Sequence, residues 1–208
     1  MKIDRAGLPF ITAALIPALV ALLLGRPLWT IPFVVLGACF AYFFRDPERR
    51  VPDAPNLVVS PADGRVLVAG PAGPGAAPPG DWIQISIFLS PLDVHINRAP
   101  VSGLVTRVEY HPGSFLPAYR PDASLNERTE ISIDHGGQTV VVRQIVGVLA
   151  RRVVCRLTEG QTVGTGERLG LMKFGSRMDV FVSPTAELRT RVGDRVRGGE
   201  SVLAVLRN

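Results

Sequence analysis

The side chains that could carry chemistry in this 208-residue chain are a serine that follows a glycine, a few histidines and a few acidic residues. Ser176 follows Gly175 in the segment Lys-Phe-Gly-Ser-Arg at residues 173–177. A serine hydroxyl becomes a nucleophile when a base or a strained backbone activates it, and glycine permits backbone conformations closed to other residues. A Gly-Ser pair alone is most often a turn, so the other motifs of the chain must decide its role.

Two histidines are candidates for proton transfer, because imidazole titrates near neutral pH. His95 ends the segment Ser-Pro-Leu-Asp-Val-His at residues 90–95, and His111 precedes a Pro-Gly pair. Either could instead be a structural residue. Cys39 and Cys155 lie far apart and can form neither a disulfide framework nor a four-ligand zinc site. The sequence therefore predicts no metal centre.

Five motifs occur in a defined order along the chain. They are Ser-Pro-Ala-Asp-Gly at 60–64, Phe-Leu-Ser-Pro-Leu-Asp-Val-His at 88–95, Asn-Glu-Arg at 126–128, Gly-Glu-Arg-Leu-Gly at 166–170 and Gly-Ser at 175–176. Over residues 58–184 this ordered set resembles the phosphatidylserine decarboxylase family, particularly its short form with an N-terminal hydrophobic segment. The ordered combination of the five motifs is specific for this family, whereas no single motif would be.

The resemblance implies a self-processing enzyme that contains a pyruvoyl group and needs no metal. Cleavage between Gly175 and Ser176 would give a 175-residue β chain and a 33-residue α chain, held together as a heterodimer. Ser176 would become the pyruvoyl group, a covalent electron sink comparable to pyridoxal phosphate. The implied reaction converts phosphatidylserine to phosphatidylethanolamine and CO2.

The resemblance also implies roles for residues outside the Gly-Ser pair. Asp63 matches the acidic member of the family's self-cleavage triad, although an Asp before glycine is by itself an ordinary turn residue. His95 matches the histidine that serves decarboxylation. Arg98 stands where the longer bacterial enzymes have a second histidine, and a guanidinium that is always charged cannot act as a general base. Arg98 is then expected to bind a substrate phosphate or to be a surface charge, and His111 to contact the substrate or, as an alternative to His95, to take over deprotonation.

The N-terminal 50 residues are predicted to form a membrane hairpin. Apolar runs of 19 and 18 residues at 7–25 and 27–44 are separated by Arg26 alone, and each reaches roughly 28 Å, close to the ~30 Å hydrocarbon core. Basic residues flank both ends, which predicts that the ends and the body face the cytoplasm. The alternatives are a buried hairpin of a soluble protein, or one that enters a single leaflet.

The net charge does not indicate a nucleic-acid partner. Of the formal charge of +5, the first 50 residues, with six basic and three acidic residues, contribute +3, which leaves +2 for the remaining 158. The predicted partners are therefore the lipid bilayer and phosphatidylserine, at the cell membrane.

Residues 51–208 are predicted to form a mainly β domain. Short β-branched stretches punctuated by glycine indicate strands at 57–60, 65–69, 82–89, 104–111, 129–134, 139–149, 178–182 and 201–206. Irregular loops are expected at 69–80 and 112–125. The pattern G-x-x-V-x-x-G-E-x-(L/V) occurs at 160–169 and again at 193–202, as in flattened lipoyl- or biotinyl-type β-barrels.

Two other functions fit parts of this pattern. A Met-Lys pair in a Gly-rich β context is also found in biotin carriers, which would make Lys173 the acylated residue of a membrane-tethered carrier. Such a carrier has no use for Asp63 and His95. The third possibility is a membrane scaffold that never cleaves.

Overall fold

The computed structural model describes residues 2–148, 153–173 and 176–207. Residue 149 of a predicted strand and residues 174 and 175 of the predicted cleavage segment lie outside the described residues. The chain divides into two compact units, Met1–Glu48 and Arg49–Asn208, which differ in class: the first is helical and the second is built from strands.

The N-terminal unit is a hairpin of two apolar helices, as the sequence predicts. Its elements are β1 Lys2–Ile3, a 3-10 turn Arg5–Gly7, α1 Leu8–Leu23, a 3-10 turn Pro27–Trp29, α2 Thr30–Phe43 and β2 Arg45–Asp46. β1 and β2 pair antiparallel and close the base of the hairpin. The continuous helical stretch Arg5–Leu23, with a mean hydropathy of 2.2, is long and apolar enough to cross a membrane, whereas Pro27–Phe43 is shorter.

Small residues allow these two helices to pack closely. Ala14 and Ala18 are buried between them, and a side chain at Gly37 would contact Leu15 at 3.1 Å. Most large apolar side chains of the unit point outward instead, with Leu23 77% exposed. An apolar outer surface suits a lipid environment and is unfavourable in water.

The second unit is mainly β, which confirms the predicted fold class. Its strands are β3 Leu57–Val59, β4 Gly64–Pro71, β5 Ile83–Leu89, β6 Ile96–Arg98, β7 Gly103–His111, β8 Arg128–His135, β9 Gln138–Ile145, β10 Val153–Cys155, β11 Thr162–Val163, β12 Arg168–Met172, β13 Ser176–Val182, β14 Glu187–Leu188, β15 Arg195–Val196 and β16 Val202–Val205. A 3-10 helix, Pro121–Leu125, lies in the loop before β8. Each of the eight predicted strands overlaps an observed one.

Eight strands form one curled antiparallel sheet in the order β11-β7-β8-β9-β13-β5-β4-β15. Two three-stranded sheets, β10-β12-β6 and β14-β16-β3, accompany it. Apolar side chains from all three sheets form a single core, for example Ile87 of β5, Leu169 of β12 and Leu203 of β16. We call the side of the large sheet that faces this core its core face, and the opposite side its outer face.

The predicted internal repeat closes the two edges of the large sheet. Val163 of β11 pairs opposite Gly103 at one edge, and Val196 of β15 pairs opposite Gly64 at the other. The turns that follow use glycine at positive φ in both copies, 74° at Gly166 and 78° at Gly199. The repeat therefore supplies two equivalent edge strands, and each protects an otherwise unpaired sheet edge.

Gly64 is required where β4 begins, because the backbone of β5 passes close to it. A Cβ at this position would overlap the carbonyl oxygen of Phe88, which belongs to a neighbouring backbone that cannot rotate away. Gly70, on the same strand, borders open space, with no atom within 4 Å of the point where a Cβ would lie. Gly64 and Gly70 are therefore matched positions for a comparison of the same substitution in a crowded and in an open place.

We expect Gly64→Ala to destabilise the protein by about 1–3 kcal/mol, as overpacking does, and Gly70→Ala to change stability by less than about 0.5 kcal/mol. Thermal unfolding in detergent should show a fall of several degrees for Gly64→Ala alone. Equal melting temperatures for the two variants would contradict the close approach of Phe88.

Candidate active site

The strand register brings four separate segments to one end of the large sheet. Arg177 of β13 pairs with Phe88 of β5 on one side and with Ile145 of β9 on the other, and Phe88 pairs in turn with Arg65 of β4. The segments 60–64, 89–95 and 146–148 therefore meet at this end with Ser176, the first residue of β13. We call it the Ser176 end.

Ser176 is the first residue of β13 and lies opposite Leu89. Its side chain is completely buried, and its hydroxyl oxygen has no hydrogen-bond partner among the described residues. Strand alternation puts Ser176 on the core face together with Met178 and Val180. A buried hydroxyl without a partner costs free energy, so this arrangement is typical of a functional group and unusual for a turn residue.

His95 lies against the strand that leads to Ser176. The Met172 N–H donates to the His95 carbonyl at 3.2 Å, and Met172 is four residues before Ser176. The imidazole is completely buried, with Nδ1 3.0 Å from the Asp93 carbonyl oxygen. Because a carbonyl can only accept, Nδ1 carries the proton in this contact and Nε2 is the nitrogen that can take up another.

Asp63 is held in the turn that precedes β4. Arg49 Nη2 donates to both carboxylate oxygens at 2.9 and 2.8 Å, and the Gly198 N–H donates to Oδ1 at 2.8 Å. By register, Asp63 is two strands from Ser176, about 10 Å at the usual strand spacing. The structure thus brings Asp63 to the Ser176 end, where its carboxylate has three charged or polar contacts.

Arg98 belongs to the turn around Asp63 and does not lie beside His95. The two residues are three positions apart, so strand alternation directs them to opposite sides. Arg98 Nη1 donates to the Gly166 carbonyl at 3.0 Å, and the backbone N–H of Arg98 donates to the Pro61 carbonyl at 2.8 Å. The residue is only 9% exposed, a geometry that favours a structural role over contact with a lipid phosphate.

His111 is separated from Ser176 by the width of two intervening strands, β8 and β9. It pairs with Arg128, in the same row as Ile145 and Arg177, and therefore belongs to the outer face. Its Nε2 lies 3.6 Å from the Glu109 carboxylate. The structure does not bring His111 together with the other candidate residues.

Among the described residues, Glu109, His111 and Glu130 could converge on a metal ion. Both carboxylates are already paired with arginines, Glu109 with Arg107 and Glu130 with Arg143. The group also lies on the outer face. It therefore has no part in chemistry at Ser176.

The thiol of Cys155 is not a competing nucleophile. Burial raises its pKa above the usual value, and this effect is larger than the lowering attributed to the backbone at Leu157. A raised pKa keeps the thiol protonated at neutral pH, and only the thiolate attacks. This agrees with the sequence analysis, which gave the cysteines no catalytic role.

A buried ion pair next to Ser176 was missed by the sequence analysis. On the outer face, Arg177 donates to both oxygens of Asp179, Nε to Oδ1 at 2.6 Å and Nη2 to Oδ2 at 2.9 Å. Ser86 and Gln84 of β5 complete the hydrogen bonds of this pair. The alternation of Arg and Asp at positions 177 and 179 was the available signal, because it indicates one polar face on a strand.

A second buried polar pair was also missed. Asn97 of β6 and Gln144 of β9 are both completely buried, and Gln144 Nε2 donates to Asn97 Oδ1 at 2.8 Å. Each is followed or preceded by an arginine, Arg98 and Arg143, so the sequence gives no sign that the two amides face the core.

Comparison with known proteins identifies close relatives over nearly the whole chain. The sequence profile of the family described as phosphatidylserine decarboxylase matches residues 36–204. A phosphatidylserine decarboxylase proenzyme of Solibacter usitatus is 41% identical over 205 residues, covering 98% of this chain and 97% of the relative. Proenzymes of the same name from Salinibacter ruber and Desulfotalea psychrophila are 47% and 39% identical, covering 85% and 98% of this chain and 81% and 96% of the relatives.

We expect Arg177→Met to destabilise the protein by about 3–5 kcal/mol, because it leaves the Asp179 carboxylate buried without its cation. The double variant Arg177→Met/Asp179→Leu should recover most of that loss, since no unpaired charge remains. Thermal unfolding of both variants and the parent measures this difference. A double variant no more stable than the single one would contradict the pairing.

Proposed function

Because this chain belongs to the phosphatidylserine decarboxylase family, and is therefore a decarboxylase, we propose that it cleaves itself between Gly175 and Ser176 and then converts phosphatidylserine to phosphatidylethanolamine and CO2. The observation that carries the proposal is the buried Ser176 hydroxyl, which has no hydrogen-bond partner among the described residues. The carrier hypothesis for Lys173 is not retained, since the family match covers that residue and the upstream motifs.

The proposed cleavage begins when the Ser176 hydroxyl attacks the adjoining carbonyl of Gly175. The new C–O bond replaces the peptide C–N bond, so the backbone amide becomes an ester and the nitrogen of Ser176 gains a proton. β-Elimination then transfers the Cα proton of residue 176 to a base and breaks the Cβ–O bond, which forms a Cα=Cβ double bond and releases Gly175 as a carboxylate. Addition of water and loss of ammonia leave a ketone at position 176. Burial of Ser176 favours this sequence, because bulk water is kept from the ester.

The Ser176 site fits a pyruvoyl group. The position is buried, uncharged and on the core face, and its oxygen atom is unpartnered among the described residues. When present, the group supplies a carbonyl that accepts the electron pair left by departing CO2. Leu89 and Met178, its neighbours on the core face, would hold the group and exclude water.

His95 is proposed to move the proton in decarboxylation. Its Nδ1 is held by the Asp93 carbonyl, so the ring is oriented and Nε2 is the nitrogen that exchanges a proton at the Ser176 end. Decarboxylation replaces a carboxylate by a proton, and a positioned imidazole can deliver that proton near neutral pH.

Asp63 is proposed to serve maturation. Its carboxylate fixes Arg49 and the Gly198 turn, and it adjoins Gly64, which is opposite Leu89 and in the row of Ser176. Arg98 is proposed to brace the turn that contains Asp63, through its backbone N–H to the Pro61 carbonyl, and to connect that turn to the Gly166 carbonyl. Both residues would then set the geometry of the precursor before cleavage.

The helical hairpin is proposed to hold the enzyme at the cell membrane with its body in the cytoplasm. The pairing of β1 with β2 brings Lys2 opposite Asp46, so the flanking basic residues Lys2, Arg5 and Arg45 lie at one end of the hairpin. The excess of positive charge favours the cytoplasmic side for that end. A lipid substrate is consistent with this attachment.

We expect Ser176→Ala to remain a single chain of 208 residues, because methyl cannot attack a carbonyl. Ser183→Ala, an exposed serine of the same segment whose hydroxyl contacts Thr185, should cleave like the parent. Intact mass spectrometry distinguishes one chain from two. A parent protein that stays uncut while it decarboxylates phosphatidylserine would refute the mechanism.

The roles of His95 and Asp63 can be separated by comparing cleavage with turnover. We expect His95→Gln to cleave but to lose at least about 100-fold in kcat, the usual contribution of a positioned acid or base. We expect Asp63→Asn to accumulate uncut precursor. Gel analysis measures cleavage, and release of CO2 from phosphatidylserine measures turnover.

His135→Gln is the matched control for His95→Gln. His135 Nδ1 also contacts a backbone carbonyl, that of Ser102 at 2.7 Å, but the residue lies at the opposite end of β8. The His135→Gln variant should cleave itself and decarboxylate phosphatidylserine at the parent rates. If His95→Gln instead fails to cleave, His95 is the base of maturation and the proposed division of roles is wrong.

A further inference from the structure

The Asn97–Gln144 pair is only half satisfied in its hydrogen bonding. One bond joins the two side chains, and Asn97 Nδ2 and Gln144 Oε1 have no partner among the described residues. If the oxygen and nitrogen positions of both amides are exchanged, the hydrogen bond between the two side chains remains. One N–H donor and one oxygen are then still without a partner among the described residues. Each unmade hydrogen bond of a buried polar group costs free energy. Two such atoms in one place require an explanation.

The pair lies next to Ser176 on the core face. Gln144 is directly opposite Met178, and Ser176 is two residues before Met178, so Gln144 and Ser176 are diagonal neighbours. Diagonal pairs are about 7–8 Å apart, within reach of a long side chain. Asn97 is two residues after His95 and so points to the same side of its strand. The pair thus connects the strand after His95 to the strand that begins at Ser176.

A glycine on β12 leaves the space that the pair occupies. Gly170 pairs opposite Asn97, and a Cβ there would lie 3.0 Å from Gln144 Nε2 and would overlap the Val154 carbonyl oxygen. Any larger residue would displace the amides toward Ser176 or out of the core. The local sequence thus accommodates two buried amides at some cost in apolar packing.

We propose that the Asn97–Gln144 pair donates a hydrogen bond to the oxyanion that forms when Ser176 attacks Gly175. This inference rests on the proposed self-cleavage. In that step the carbonyl π electrons move to the Gly175 oxygen as the C–O bond forms, and the serine proton passes to the departing nitrogen. The amides gain and lose no proton. Asn97 Nδ2, which has no partner among the described residues, is a donor on the core face that Ser176 shares.

Burial makes such a donor effective. Water cannot reach this part of the core to solvate the charge, and a donor already in position needs no reorganisation. The Gly175 carbonyl carbon is bonded directly to the Ser176 nitrogen. The oxyanion therefore forms one residue from Ser176, which is the diagonal neighbour of Gln144. Asn97 then acts on charge in the cleavage step, whereas His95, two residues before it, serves the later decarboxylation.

The test measures the rate at which newly made precursor becomes two chains. We expect Asn97→Leu and Gln144→Leu to slow cleavage by about 100- to 1000-fold, the loss typical of an oxyanion donor. Precursor is synthesised without cells in the presence of lipid vesicles, and cleavage is followed by gel. Where a leucine variant does not fold, Asn97→Asp at alkaline pH keeps the size and the Gln144 bond while removing the N–H.

Gln84→Leu is the matched control. Gln84 is a buried amide on β5 that bonds Ser86 and Asp179 on the outer face, away from Ser176. The Gln84→Leu variant should melt at a lower temperature than the parent and should cleave at the parent rate. If Gln84→Leu slows cleavage as much as Asn97→Leu, the effect is one of stability and the inference is wrong.

Hydroxylamine identifies the step that is affected, since it cuts an ester but leaves an amide. We expect Asn97→Leu precursor to resist hydroxylamine, because attack by Ser176 is the slow step. Cutting by hydroxylamine would show that the ester forms normally and would overturn the inference. If the parent itself never cleaves, the proposed function fails; if parent and Asn97→Leu cleave equally fast, only this inference fails.

Discussion

The structure depends on β13, a strand buried on both faces and hydrogen-bonded on both sides. Its core face carries Ser176 and its outer face carries the Arg177–Asp179 pair. Because successive residues of a strand point to opposite faces, Ser176, the proposed reactive residue, and the ion pair that begins at Arg177 can be adjacent in sequence without contact. The ion pair helps to hold β13 against β5, the strand that Ser176 pairs with.

The segment around Asp63 and Arg98 is organised by elements that carry no chemistry. The two copies of the glycine repeat pair their short strands at both sheet edges, opposite Gly64 and Gly103. One copy contains Gly198, which binds Asp63, and the other contains Gly166, which binds Arg98. A feature that concerns fold alone thus determines where two of the candidate residues lie.

Sequence reasoning predicted the strands of seven or more residues, because alternation needs several residues to be visible. Of the shorter strands it predicted Leu57–Val59 and Val202–Val205, whereas a two-residue strand such as Glu187–Leu188 gives no such pattern and exists through pairing. The motif residues Ser176, His95 and Asp63 do meet at one end of the sheet. His111 and Arg98 could not be assigned from sequence, since strand register decides their faces. Asn97 and Gln144 were overlooked because a polar residue within a strand ordinarily indicates solvent.

The last 33 residues supply strands to two sheets. β13 pairs with β5 and β9, β15 pairs with β4, and β16 pairs with β3. Because of this interlacing, folding before the proposed cleavage differs from folding after it. Under the proposed cleavage, the segment folds before the cut at the high effective concentration of a tethered chain, whereas refolding after the cut is a bimolecular encounter. On that proposal the uncut chain is its own assembly template, and a cut protein that unfolds no longer has one.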